Sequence, residues 1–196
     1  MADLHLAGAP AADALLARDP FALVVGMHLD QQFPMERAFQ GPAILADRLG
    51  VDNLDPAAIA GHDPDDLAAL SAITPAVHRY PAAMAGRIQQ LAAYIVDHHD
   101  GDAADIWTGA TDGADEYKRI RALPGFGEQK ARIMVALLGK QLGVRPDGWR
   151  GAAGAYGEEG SRRSIADVVD ETTLVEVREF KREAKRQAKA AKASKG

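Results

Sequence analysis

The segment 123–127, with the sequence Leu-Pro-Gly-Phe-Gly, has the residue types of a tight hairpin whose backbone can approach another molecule. Glycine permits positive φ angles and carries no side chain, so Gly125 and Gly127 favour both a sharp turn and a close contact. A helix is predicted to follow, and its first amide groups and positive dipole end suit a phosphate oxygen. Lys130 and Arg132 add positive charge that could reach that phosphate. The pattern therefore indicates phosphate binding, with a purely steric helix corner as the alternative.

A second candidate for phosphate binding is the end of the chain, where positive charge is concentrated. Residues 1–177 carry 15 Lys/Arg and 26 Asp/Glu, whereas residues 178–196 carry 8 and 2, within a net charge of −5. Cations along a tail can lie on a nucleic-acid backbone and release its counterions. The alternative is a solvated tail, frayed or disordered without a partner. The tail cations expected to contact DNA are Arg178, Lys181, Arg182, Lys185 and Arg186.

Composition excludes several other chemistries. The chain has 196 residues, is 47% hydrophobic and contains no cysteine, which excludes disulfides, a cysteine nucleophile, thiolate zinc sites and an all-cysteine iron-sulfur cluster. No side-chain metal site and no other cofactor are expected. The sequence shows neither a signal-peptide pattern nor an apolar run long enough for a membrane span, so a cytoplasmic protein without a membrane partner is expected.

Apolar residues recur at three- and four-residue spacing and alternating β-branched stretches are missing, so the sequence predicts an all-α fold. Asp-Pro pairs at 19–20, 55–56 and 63–64 are typical of helix starts. Residues 143–163 are glycine-rich and are predicted to form an irregular connection. The predicted helices begin at 20 and 34 and cover 57–61, 65–72, 81–98, 103–109, 115–122 and 128–142, with a last one from about 164.

Three features together resemble a known superfamily. They are the hairpin with the start of its second helix at 123–131, the segment Leu-Asp-Gln-Gln at 29–32 within an N-terminal helix, and Asp147. With the helical pattern between them, residues 20–147 resemble the helix-hairpin-helix, Gly/Pro-rich-loop and aspartate (HhH-GPD) superfamily of DNA glycosylases, which includes endonuclease III, the adenine-mismatch glycosylase and the alkylated-base glycosylases. Because cysteines are absent, the resemblance is to the members without an iron-sulfur cluster.

The resemblance implies an architecture of two helical lobes. A helical barrel carrying the hairpin would span residues 20–142, a second lobe would combine 1–19 with 143–177, and the basic tail would cover 178–196. The cleft would lie between the lobes, with Asp147 at its mouth.

The resemblance also implies residue roles. Asp147, twenty residues beyond Gly127, stands where the family has its catalytic aspartate. Gln31 or Gln32 would fill the hole left by a flipped base. The hairpin could hold a monovalent cation at the carbonyl oxygens of Leu123 and Gly125. The hairpin residues expected to contact DNA are Leu123, Gly125, Phe126, Gly127, Gln129 and Lys130.

Two departures from the family pattern bear on the chemistry. Members with lyase activity have a lysine two residues after the second hairpin glycine, where this chain has Gln129. Lys130 is one place further and, about 100° around the helix, is expected to point elsewhere. The Asp147-Gly148 pair is also an ordinary turn signature, which is the alternative to a catalytic role. Trp149 and Tyr156 follow nearby, where aromatic rings could stack on an extruded base or simply pack.

The resulting expectation is a monomeric, nucleoid-associated base-excision repair protein that binds double-stranded DNA. It would flip a damaged or mispaired base and hydrolyse its N-glycosidic bond without lyase activity. One alternative is a non-catalytic helix-hairpin-helix protein that binds DNA structures or lesions. Another is a helical adaptor for other proteins in which the hairpin is only a corner.

Overall fold

The computed structural model describes residues 3–193, and side chains as far as residue 190. Over these residues the chain is helical and contains no strand, which confirms the expected all-α class. Two short 3₁₀ turns, Gly154–Tyr156 and Ile165–Asp167, precede the last helix. The α-helices are α1 (Pro10–Arg18), α2 (Pro20–Leu29), α3 (Met35–Leu49), α4 (Pro56–Ala60), α5 (Pro64–Ala72), α6 (Pro81–His99), α7 (Asp105–Thr108), α8 (Gly113–Ala122), α9 (Glu128–Gln141), α10 (Trp149–Ala153) and α11 (Glu171–Ala193).

The Asp-Pro pairs begin helices as the sequence predicts. The carboxylates of Asp19, Asp55 and Asp63 each accept a hydrogen bond from a first-turn amide of α2, α4 and α5, respectively. The following proline lacks the amide hydrogen that would be unpaired there. Asp19 also accepts from the Leu54 amide at 2.7 Å. This aspartate therefore fixes both a helix start and a distant loop.

Two helices, α2 and α9, form the centre of the molecule. Every residue of α2 from Phe21 to Leu29 is buried, and α9 is buried from Met134 to Gly139. A helix that is apolar on all sides must be covered on all sides, and here the other helices supply the cover. The carboxyl end of α2 and the amino end of α9 meet at the hairpin described below.

The long helix α6 shows the amphipathic pattern expected from the sequence. Its stripe Met84, Ile88, Leu91 and Ile95 is buried. The short helices α4 and α5 pack against it. Gln89 reinforces this packing, because its amide donates to the carbonyl oxygen of His62 at 2.8 Å.

The expectation of an irregular connection over 143–163 is wrong in part, because it contains α10 and a 3₁₀ turn. Tertiary packing explains the difference. A Cβ atom at Gly139 of α9 would lie 2.4 Å from the Trp149 ring, and one at Gly113 of α8 would lie 2.4 Å from the Trp149 amide nitrogen. The two glycines thus admit α10 against the helix pair, and this fit is not encoded within the connection itself.

The expected last helix differs at both ends. It begins at Glu171 instead of near Ser164, because Ser164 caps a separate 3₁₀ turn and the Asp170 carboxylate accepts from the Thr173 amide at 2.7 Å at the new start. The tail, expected to be frayed or disordered, continues as helix to Ala193. Its alanine, lysine and arginine residues have high helix propensity, which accounts for the extension. Lys192 lies within this helix, whereas Lys195 lies outside the described residues.

The division into two lobes stays a prediction. The first residues contact α3, because the Gln40 amide donates to the Ala7 carbonyl oxygen at 2.8 Å, and α3 is joined to α11 by the ion pair of Glu36 with Arg178. Among the described residues, no helix combines the length and apolar character that a bilayer crossing requires.

Candidate functional site

The hairpin joins the end of α8 to the start of α9. Leu123 and Phe126 are both buried, and the Phe126 amide donates to the Leu123 carbonyl oxygen at 3.0 Å. Arg121 donates to the Phe126 carbonyl oxygen at 3.1 Å. The apolar side chains thus anchor the turn in the core, and the groups left at the surface are mainly backbone. The expected contacts of Leu123 and Phe126 with DNA would therefore be made by their backbone.

The two hairpin glycines are glycines for different reasons. Gly125 has φ +80°, and a Cβ atom there would lie 2.5 Å from Cε1 of His28. Gly127 has φ −80° and ψ 174°, which any residue can adopt, and a Cβ atom there would have no neighbour within 4 Å. The fold therefore requires glycine at 125 but not at 127. A bare backbone at 127 leaves room for an outside molecule.

Gly127 is also the residue that precedes α9. No side chain caps this helix start, and Gly127, Glu128 and Gln129 are exposed. The first amides of an α-helix have no partner within the helix. The start of α9 therefore presents unpaired donors and a positive dipole end beside the open space at Gly127.

His28 lies directly under the hairpin. Its side chain is buried, and neither ring nitrogen has a hydrogen-bond partner among the described residues. Burial, followed by the charges of Lys130 and Arg87, lowers the pKa of His28 from 6.5 to about 4. The imidazole is therefore neutral at physiological pH and acts as a packing surface for Gly125.

A cleft of about 530 Å³ opens beside the hairpin. The carboxyl end of α2, the first turns of α9, the segment after α10 and the middle of α11 form its walls. A volume of this size falls in the range of small-molecule sites. The polar and aromatic residues of the cleft are Asp30, Gln129, Lys130, Tyr156, Arg163, Phe180 and Lys181.

Lys130 lines this cleft together with Gln129, but its side chain points toward the end of α2, whereas that of Gln129 points toward Tyr156. Its ammonium donates to the carbonyl oxygens of Met27 at 2.6 Å and His28 at 3.1 Å, at the end of α2. A cation is favoured at that negative end of a helix dipole. Burial nevertheless lowers the pKa of Lys130 from 10.5 to about 8, with Asp30 opposing the shift. The ammonium is thus held inside the protein instead of being free to reach a phosphate. Arg132, expected to act similarly, pairs with Glu128 at 3.2 Å.

Gln129 occupies the other side of the same helix turn. Its amide donates to the hydroxyl of Tyr156 at 3.0 Å. Tyr156 is half-buried and faces the cleft, whereas Trp149 is buried against α8 and α9. Of the two aromatic residues considered from the sequence, the structure places Tyr156 at the cleft.

Asp30, which the sequence analysis did not single out, is the carboxyl group of the cleft. It follows α2 directly as its C-cap residue. Burial raises its pKa above the usual value, while the charges of Lys181 and Lys130 act in the opposite direction. The only signal for it in the sequence was its place within the Leu-Asp-Gln-Gln segment, in which only the two glutamines were assigned a role.

The Leu-Asp-Gln-Gln segment is not helical throughout, contrary to expectation, because α2 ends at Leu29. The backbone leaves helical geometry at Asp30, where ψ is 70°, and Gln32 has φ +52°. Pro34 disfavours helical geometry at Phe33. The Gln31 amide folds back onto the His28 carbonyl oxygen at 2.6 Å. Gln32 is exposed. Of the two candidate wedge residues, Gln32 is the one whose side chain is free of such a contact.

Asp147 does not line the cleft beside the hairpin, in contrast to its expected place at the cleft mouth. It is exposed, and its carbonyl oxygen accepts from the Gly113 amide at 2.8 Å, at the start of α8. The hairpin follows the other end of α8, which is about 15 Å away for a ten-residue helix. The five residues between α9 and Asp147 are too few to run back along α9. A catalytic role for Asp147 stays a prediction.

The tail cations divide into two groups. Arg178 pairs with Glu36, and Lys181 faces the cleft. The rest point away from the body, and every side chain from 185 to 190 is exposed. Arg182 and Lys185 are exposed, and Arg186 pairs with Glu183 at 2.5 Å. The tail thus contributes one wall of the cleft and then projects from it as a basic helix.

Comparisons with family models, with curated proteins and with solved structures find no match for this chain. Within residues 3–193, no three histidine, aspartate or glutamate side chains form a group that could hold a metal ion. The monovalent cation expected at the carbonyl oxygens of Leu123 and Gly125 stays a prediction.

Proposed function

We propose that this chain is a base-excision repair protein that grips duplex DNA with the 123–127 hairpin and removes a flipped base as a monofunctional DNA glycosylase. The observation that carries the proposal is the position of Gly127. It leaves open space at an uncapped helix start, next to a cleft of about 530 Å³. A phosphate held at this helix start would place the adjoining nucleotide within reach of the cleft.

The walls of the cleft suit a planar heterocycle. Tyr156 and Phe180 offer aromatic faces, and Met27, Ile133 and Ile165 supply apolar surface. Extruded bases are commonly held between aromatic and apolar side chains and read by a few polar groups. Gln129, with its amide oxygen and its bond to Tyr156, is one such polar group.

Hydrolysis by water fits the cleft better than an amine nucleophile does. Gln129 cannot form an imine. Lys130 carries an amine with a pKa lowered to about 8, so it is still mainly protonated at pH 7, and its protons are donated to two carbonyl oxygens of α2. We therefore propose a glycosylase without lyase activity.

A second candidate function is non-catalytic binding to DNA structures or lesions. It is favoured by the position of Asp147, which lies outside the cleft beside α8. In this case the hairpin would still bind phosphate and the cleft would only hold an extruded base.

Two experiments test the proposal. The first measures base release by wild-type protein from duplexes that each carry one damaged or mispaired base, with lesion-free duplex as the control. Release from at least one duplex supports the glycosylase, whereas binding without release from any duplex supports the non-catalytic candidate.

The second experiment tests the hairpin. Gly127→Ala is expected to weaken binding to all duplexes, and Gly127→Val is expected to weaken it more, because each adds bulk where the phosphate approaches. Gly61→Ala is a matched control, since Gly61 is also exposed with a negative φ of −87° and its added Cβ would make only an ordinary contact. Unchanged affinity of folded Gly127→Val would contradict the proposal that the hairpin binds DNA.

A further inference from the structure

We infer that Asp30 is the proton donor to the departing base and that the base removed is uncharged before it leaves. This inference rests on the proposed glycosylase function and assigns both a catalytic residue and a substrate class to its cleft.

Geometry singles out Asp30. It is the only carboxyl group among the residues that line the cleft. Within the part of the chain that the structure describes, its carboxyl oxygens accept no hydrogen bond. By contrast, the buried Asp13 and Asp167 are each tied to neighbours, Asp13 to the amides of Leu6 and Ala7 at 2.8 Å. Asp30 thus faces the cleft with its hydrogen-bonding capacity unused.

The surroundings of Asp30 favour the neutral form of its carboxyl group more than solvent favours the neutral form of an exposed carboxyl group. Burial raises its pKa, although Lys181 and Lys130 act against this. Asp30 also stands at the carboxyl end of α2, where the negative end of the helix dipole disfavours another negative charge. A carboxylic acid that keeps its proton nearer to neutral pH is a competent general acid.

The proposed step balances as follows. The bond between the sugar C1′ and the base nitrogen breaks, and its electron pair goes to the base. The base takes the proton of the Asp30 carboxyl group. A water oxygen bonds to C1′, and the proton that this water loses returns to the Asp30 carboxylate. The sum is hydrolysis to a neutral base and an abasic sugar, with the acid restored.

The charges of the cleft indicate the class of base. Lys130, Arg163 and Lys181 line it against the single acidic residue Asp30. Such a site disfavours a base that already carries a positive charge, such as an N-alkylated purine. A cationic base is moreover a good leaving group and needs no proton donor. An uncharged base such as uracil or hypoxanthine gains from proton transfer, so the cleft and its acid fit the same class.

The test uses full-length protein in single-turnover assays on duplexes with uracil, hypoxanthine or 7-methylguanine. Asp30→Asn keeps the shape of the side chain but cannot donate this proton, and Asp97→Asn on the exposed face of α6 is the matched control outside the cleft. For the uncharged base that responds, Asp30→Asn is expected to lower the rate 10²- to 10⁴-fold while DNA affinity is retained. Asp97→Asn is expected to leave the rate within a few-fold of wild type.

A merely structural role for Asp30 is separated by leaving-group chemistry and pH. An analogue of the responsive base with an electron-withdrawing fluorine leaves more easily, so the loss in Asp30→Asn should be smaller for the analogue. The wild-type rate should fall as pH rises, because Asp30 donates only while it is protonated and burial raises its pKa. The charged groups that act on Asp30 are Lys181 on α11 and Lys130 on α9, and Arg163 lines the same cleft.

The outcomes distinguish the two claims. No release of any base by wild-type protein overturns the proposed function together with this inference. Release of an uncharged base with equal rates for wild type and Asp30→Asn overturns the role of Asp30 alone, and release of only 7-methylguanine overturns the substrate class. If Asp30→Asn does not fold, the wild-type pH profile decides, and a rate that does not fall as pH rises overturns proton donation.

Discussion

At the scale of single residues, the structure separates glycines that the fold needs from glycines that it does not. Gly125 combines a positive φ with close approach to His28, whereas Gly127 has an ordinary extended backbone and open space. Sequence alone marks both as parts of one motif and cannot make this distinction, because the contact with His28 joins residues nearly one hundred positions apart.

Gly125→Ala is therefore expected to destabilise the fold, and Gly127→Ala is not. The new methyl group at 125 would meet the His28 ring in a backbone region unfavourable to alanine, at a cost of at least about 2 kcal/mol. At 127 the effect on the free energy of unfolding should be below about 1 kcal/mol. Urea denaturation of both variants measures this. Equal destabilisation would contradict the packing of His28 against the hairpin.

Glu116 of α8 is a second residue whose environment matters. It is fully buried, neither carboxyl oxygen has a hydrogen-bond partner among the described residues, and burial raises its pKa from 4.5 to about 7. The folded state therefore holds the proton that the unfolded state releases at lower pH. Stability from this group is complete below about pH 4.5 and is lost as pH rises through about 7.

Glu116→Gln is expected to remove that pH dependence. Relative to wild type, the free energy of unfolding of the variant should increase by up to about 3 kcal/mol between pH 5 and pH 8. Chemical denaturation at several pH values measures it, with Glu128→Gln on the exposed start of α9 as the control. A parallel pH dependence of wild type and Glu116→Gln would show that Glu116 does not titrate in this range.

At the scale of elements, what the sequence predicts well is local. Amphipathic stripes and Asp-Pro caps depend on residues within one turn of each other, so helices such as α6 are found with nearly the expected bounds. The meeting of α2 and α9 is not local. It depends on the bonds of Lys130 to the end of α2, more than one hundred residues away, which helical periodicity does not encode. For the same reason the hairpin was found from sequence, whereas the acidic residue of the cleft was not.

The last helix α11 has two parts with different expected effects on DNA binding. Its middle supplies Phe180, Lys181 and Ala184 to the cleft, and the side chains of residues 185–190 are exposed. A deletion from Lys181 onward would remove both the cleft wall and the basic segment 185–196, which we call the basic arm. A deletion of residues 185–196 removes five lysines and arginines and no acidic residue while it leaves the cleft wall in place.

Deletion of residues 185–196 is therefore expected to weaken duplex binding without affecting the step of base release. If all five cations contact phosphates, the slope of log affinity against log salt becomes shallower by up to about 4.5. Binding measured at several salt concentrations gives the slope, and single-turnover assays at saturating protein give the rate. Identical slopes for the full and shortened chains would show that the arm does not touch DNA.

At the scale of the whole molecule, charge and shape point to one face. The body is acidic in total, so long-range attraction does not hold DNA over its entire surface. The uncapped start of α9, the cleft and the basic arm of α11 adjoin one another, because Lys181 of α11 and Gln129 of α9 line the same cavity. Under the proposed function, the duplex would approach this one face, with the hairpin and the arm on either side of the extruded nucleotide.

Attack by water and attack by an amine can be distinguished experimentally. The cleft contains lysine amines, but position 129, where family members with lyase activity have a lysine, is a glutamine. An amine that attacked the abasic sugar would form an imine, which borohydride reduces to a stable protein-DNA adduct. Wild-type protein is expected to release the base, leave the strand intact until alkali is added and give no adduct. Gln129→Lys places an amine at the cleft face of α9 beside Tyr156, where it is expected to produce a detectable adduct. Lys130→Gln serves as the control, because an adduct formed by wild type but lost in this variant would identify Lys130 as a nucleophile and overturn hydrolysis by water.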